Sequence, residues 1–152
     1  MNAILNLFRL NYLPRSADFG LLVLRLWIGG SMLLLHGWGK VQSYSDIAKN
    51  FPDPLKIGSQ TSLSLAVFAE TVCALLLAFG FLTRFAALVL GINLGVAFVM
   101  VHKLDLKLGA GGSGELAFLY LGACVTLFIA GGGRFGFDNS APARKRPRPA
   151  QD

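Results

Sequence analysis

At 152 residues the chain is short enough for one soluble domain, yet 54% of it is hydrophobic and only 14% charged, where soluble domains carry about 25% charged residues. So few polar groups cannot coat a globule, which excludes an ordinary soluble fold. The net charge of +6 is concentrated toward the C-terminus, which argues against a nucleic-acid surface, and two cysteines make no disulfide framework.

A helix rising about 1.5 Å per residue needs about 20 apolar residues to cross about 30 Å of hydrocarbon. Four stretches qualify in chain order: 19–39, 63–82, 85–101 and 115–131. The first is not a cleaved signal peptide, because it is too long, contains Arg25 and lacks a small-x-small cleavage site. Between the first two spans, 41–51 reads as a short interfacial helix stopped by Pro52 and Pro54. The glycine-rich run 109–114 reads as a flexible outer loop, since no strand precedes it to make a phosphate-binding turn. The sequence therefore predicts an all-α membrane protein, a four-helix transmembrane bundle. It divides into an N-terminal segment (1–18), the membrane domain (19–138) and a basic, Pro-rich tail (139–152) expected to be disordered.

Arg9, Arg15, Arg84, Arg134, Arg144, Lys145, Arg146 and Arg148 share one side, against Lys40, Lys49, Lys56, Lys103 and Lys107 on the other. By the positive-inside rule both termini are cytoplasmic, in a multi-pass protein of the cell inner (plasma) membrane.

Ionisable side chains in hydrocarbon cost about 3 kcal/mol on insertion scales, so each must face a partner or water. Arg25 and His36 lie about 20° apart on the first helix; Glu70 lies in the second, Asn93 in the third, His102 at its end and Glu115 at the start of the fourth. With Lys40, these residues are expected to line a polar pocket opening outward, and Arg25 is expected to pair with Glu70. Gly91 and Gly95 form a small-residue face with His102 beside it, while Glu115, Gly122 and Thr126 share a stripe opposite Cys124. Cys73 and Cys124 read as small buried apolar residues.

The histidines are placed permissively for haem, but the spacing is unspecific and haem is set aside; ligand spacing for a metal is absent. No nucleophile elbow or paired-Cys motif is present, and no catalytic residue is assigned.

The stretch Arg25-Leu26-Trp27-Ile28-Gly29 followed by His36-Gly37-Trp38-Gly39-Lys40 resembles the opening helix of the DoxX family of small membrane proteins. Phe51-Pro52-Asp53-Pro54-Leu55, Phe68-Ala69-Glu70, Gly80-Phe81-Leu82-Thr83-Arg84, Gly114-Glu115-Leu116-Ala117 and Gly133-Arg134-Phe135-Gly136-Phe137-Asp138 follow in the family's order. Gly131-Gly132-Gly133 stands where G-P-G is common. The resemblance implies a four-helix membrane fold and a redox association, relatives including a subunit of an archaeal thiosulfate:quinone oxidoreductase.

The expected function is thus a quinone-linked, redox-associated membrane subunit, with quinone as the cofactor class and the lipid bilayer, a redox subunit or a second copy as partners. A scaffold without catalysis and a small-solute or proton-linked transporter are the rival classes. The transporter lacks an inverted repeat.

Overall fold

A computed structural model describes residues 16–106 and 114–140, and every regular element among them is helical. Helix α1 spans Ala17–Gln42, α2 Tyr44–Ile47, α3 Ser59–Phe79, α4 Thr83–Val101 and α5 Glu115–Ala130, followed by a 3-10 turn at Phe137–Ser140. Helices α1, α3 and α4, with 26, 21 and 19 residues, are long and apolar enough to cross a membrane; α5 is equally greasy but has only 16.

The helices begin and end where their chemistry requires. Ser16 caps α1 by accepting the Phe19 N–H at 3.1 Å, and Asp18 places negative charge in the first turn, against the positive end of the dipole. Helix α3 ends at Gly80, whose φ of 72° suits a residue without Cβ. There the Gly80 and Phe81 N–H groups donate back to the Leu77 and Leu76 carbonyls. The expected interfacial helix over 41–51 is shorter: α1 itself continues to Gln42, and only Tyr44–Ile47 forms a separate turn.

Helix α1 packs against α3 and α5, and α4 against α3 and α5, so the four longer helices enclose one core. Consecutive helices run antiparallel. The connections α1–α3 and α4–α5 share one end, here the loop face; the α3–α4 turn and the segment after α5 share the other, the turn face. Met32, Leu63, Leu77, Leu90 and Leu127 are buried inside, whereas Trp27, Leu34, Leu35 and Ile129 stand on the outer surface. Large apolar groups facing outward around a core that holds Arg25 and Glu70 invert the soluble pattern and fit a hydrocarbon surround.

With lipid as solvent, helices gain little from hiding apolar surface from one another, so close van der Waals packing must hold them. Small residues provide it. A Cβ on Gly29 would lie 2.5 Å from the Ala74 carbonyl oxygen and 2.9 Å from the Ala78 Cβ, so α1 and α3 meet backbone to backbone.

Among the described residues, three helices carry a π-type turn: Leu33–Gly37 in α1, Ala69–Cys73 in α3 and Ala97–Val101 in α4. Such turns insert one residue into the α-helical register and recur at functional sites. The first two pack on each other.

Candidate intramembrane binding site

Glu70 sits inside the α3 π turn and is buried. Its carboxylate forms an ion pair with Lys40 Nζ through Oε2 and accepts from Asn93 Nδ2 at 3.3 Å through Oε1. Gly37 makes the pairing reachable: a Cβ there would lie 2.4 Å from the Glu70 carbonyl oxygen and 2.8 Å from Thr71 Cγ2. Only a bare Cα lets the two π turns approach so closely, which brings Lys40, one turn further along α1, over Glu70.

The expected Arg25–Glu70 pair does not form. Side chains on a helix slant toward its N-terminus. In antiparallel α1 and α3, Arg25 therefore slants to the turn face and Glu70 to the loop face, so the two diverge. Lys40, nearer the loop face, slants down toward Glu70 and meets it.

Lys40, Glu70, Asn93 and His102 line one groove of about 460 Å³ between α3 and α4. Its walls are apolar, with Leu65, Phe68, Ile92 and Val96 among them, and its loop-face end is roofed by Phe51, Pro54 and Leu55. Asp53 fastens that roof: its carboxylate accepts from Ile57 N–H at 3.1 Å, Gly58 N–H at 2.8 Å and the Ser62 hydroxyl at 2.8 Å. The Ser62 hydroxyl and these amides hold the Asp53 carboxyl below the usual carboxylate range.

His36 does not line the groove. It lies in the α1 π turn with its ring edge-on to Tyr120, centroids 5.9 Å apart, and the charges acting on it are those of Glu70 and Lys40. Tyr120 donates its hydroxyl to Ser31 Oγ at 2.8 Å, which in turn donates to the Trp27 carbonyl. Glu115 is half-buried in the first turn of α5, outside the groove lining.

The stripe of Gly122 and Thr126 lies opposite buried Cys124, on the outward face of α5, and does not bring Glu115 into the groove. On α5 the buried positions are Ala117, Tyr120, Cys124 and Leu127, whereas Gly122 and Thr126 are exposed. Gly91 does approach Cys124, but a Cβ on Gly95 would meet nothing within 4 Å. Cys73 and Cys124 are buried free thiols.

Arg25 belongs to a second centre at the turn face. It is fully buried, and none of its three guanidinium nitrogens has a hydrogen-bond partner. Nη1 lies where a Gly80 Cβ would be, only 1.6 Å from that position, and Gly136 closes the same space. The neighbouring charge is Asp138. Asp138 caps α4 across the fold, accepting from the Leu82 and Thr83 N–H groups at 2.7 and 2.8 Å, while its own N–H donates to the Gly80 carbonyl. Burial opposes ionisation of Asp138, but the Thr83 and Leu82 amides and the Arg25 charge prevail and hold its carboxyl below the usual range. Nearby, the Arg134 N–H donates to Asp18 Oδ1 at 2.9 Å.

Sequence reasoning missed Tyr120, Asp53 and Asp138 as contributors. Asp138 and Asp53 sit in the motif stretches that carried the family resemblance, which was the available signal; Tyr120 was visible only as one member of the 117–120–124–127 spacing.

The DoxX family model matches residues 20–103, more than half of the chain. A protein of Haemophilus influenzae, described only as uncharacterized, is 30% identical over 127 residues, covering 81% of this chain and 83% of that protein. No solved structure matches this chain. The chain belongs to the DoxX family, and it is a membrane protein with three helices among the described residues long and apolar enough to span a bilayer.

Proposed function

We propose that the chain is a redox-associated membrane subunit whose groove between α3 and α4 receives a quinone headgroup. In this reading α5 also spans, giving four transmembrane helices with both termini on the cytoplasmic side of the inner membrane, and 19–138 as the membrane domain between an N-terminal segment and a basic tail. Residues 1–15 of the N-terminal segment, 107–113 of the outer loop and 141–152 of the tail, which carry much of the charge asymmetry, lie outside the described residues.

The observation carrying the reading is that Lys40 and Asn93 converge on Glu70 inside a largely apolar groove. A quinone carbonyl needs hydrogen-bond donors, which Lys40 Nζ and Asn93 Nδ2 supply. Its reduction needs protons, which Glu70 can relay beside His36. A buried ion pair used only for rigidity would need no groove beside it. Reduction itself takes two electrons and two protons per quinone, so the electrons would come from a partner redox subunit.

The test is binding of a chainless benzoquinone to detergent-purified protein. Glu70→Gln and Lys40→Met should each weaken it by about tenfold or more, equivalent to about 1.4 kcal/mol, and His36→Ala should weaken it less. Unchanged affinity in all three would remove the groove from consideration.

A second reading, a scaffold, is favoured at the turn face alone. Asp138 binds the segment after α5 to the α3–α4 turn with Arg25 buried beside it, and neither lines the groove that holds Glu70. That half of the molecule is read as structural.

A further inference from the structure

The groove's polar side chains are few, with Ser62 of α3 and His102 just past the end of α4 beside the three that meet at Glu70. Glu70 and Asn93 stand together on its inner wall with Lys40 above them, whereas Leu65, Phe68, Ile92 and Val96 form its long sides. Those sides are continuous with the lipid-facing surface: Leu65 is 54%, Phe68 43% and Ile92 59% exposed. Toward the loop face the way is covered by Phe51, Pro54 and Leu55, in a segment that Asp53 ties down through three hydrogen bonds. The groove thus opens through the gap between α3 and α4 more readily than through its roof.

We propose that the ligand is a bilayer-borne amphiphile that reaches the site sideways from the membrane, its polar head against Lys40, Glu70 and Asn93 and its hydrocarbon chain leaving between Leu65 and Phe68 of α3 and Ile92 and Val96 of α4. This rests on the quinone-headgroup reading and specifies the chemistry of the rest of the molecule and its route. The complementarity is two-sided. Donors and a carboxylate meet a carbonyl-bearing ring, and the apolar walls meet a chain that would otherwise remain among acyl chains. A water-soluble ligand would leave those walls uncovered and would have to displace the roof.

The test uses the full chain in phosphatidylcholine nanodiscs and three probes: a chainless benzoquinone, the same headgroup with a decyl chain ending in a photoreactive diazirine, and a decyl diazirine without the ring. The expected result is that the second probe labels Leu65, Phe68, Ile92 or Val96, that excess chainless quinone suppresses this labelling by about tenfold, and that the ringless probe labels these positions no more than Ile129 on the outer face of α5. If the ringless probe labels the gap as strongly as the quinone probe, an ordinary acyl chain fills it and the proposal is overturned. If chainless quinone binds but the decyl probe labels every apolar face evenly, the sideways route is overturned while the headgroup reading stands. If neither quinone binds, both fall.

Discussion

Gly37 and Gly39 flank Trp38 on the same helix, yet only one of them is committed to contact. A methyl at Gly37 would press on the Glu70 carbonyl oxygen, while one at Gly39 would meet nothing within 4 Å. Gly37→Ala should therefore cost about 1–3 kcal/mol through overpacking, whereas Gly39→Ala should be neutral or stabilise by up to about 1 kcal/mol through helix propensity. Thermal midpoints of the two variants in detergent check this, and equal midpoints would disprove the backbone contact. Lys40→Met should cost about 3–5 kcal/mol, because it strands a buried carboxylate, and Lys40→Met with Glu70→Gln should recover most of that loss. At this scale the sequence was legible as to which residues matter and illegible as to who meets whom. Arg25, Lys40 and Glu70 stand out because charge in a greasy helix is conspicuous. Angles about the helix axis placed them on facing surfaces, but such angles say nothing of the slant along the axis, and that slant selects Lys40 over Arg25.

At the scale of elements, the turn between α3 and α4 is held from a distance. Leu82 adopts a left-handed φ of 49° without the freedom of glycine, and the Asp138 carboxylate bonds its N–H and that of Thr83. Asp138→Ala removes an N-terminal cap and should cost about 0.5–2 kcal/mol; it also leaves Arg25 without its neighbouring charge, which should add to the loss. Placing Arg25→Met beneath it separates the two effects. In that background Asp138→Ala should cost only the cap, so a double-mutant cycle by thermal unfolding in detergent should return a coupling energy in the range of about 0.5–3 kcal/mol. Zero coupling would mean that Asp138 does not compensate Arg25. The helices themselves were readable from apolar length, with α1, α3 and α4 falling within a few residues of the expected spans. Two element-level features were not. The π turns have no composition signature, although two of them meet at the Gly37–Glu70 backbone contact, and the inward face of α5 follows the 117–120–124–127 spacing of Ala, Tyr, Cys and Leu rather than a stripe through Glu115.

Taken whole, the molecule has a lowered carboxylate at each end: Asp53 under the loop-face roof and Asp138 at the turn-face clamp. For both, the folded state holds the carboxyl below its unfolded value of about 3.9. Their contribution to stability is therefore fully present above that value and is lost as pH falls through the lower folded one. The helical content of the long segments between them rests on backbone bonds made within each helix, which acid leaves intact. Acidification should thus loosen the two ends before the helical middle. In detergent, helical circular dichroism should persist to about pH 3 while the thermal midpoint, flat from pH 7 to about 5, declines below about 4. The Asp53→Asn, Asp138→Asn double variant should start from a lower midpoint at neutral pH and show a shallower acid decline, because protonation then removes nothing further at either end. An acid decline equally steep in the double variant would assign the sensitivity to other carboxylates and break the link between these two residues and the closure of the bundle's ends.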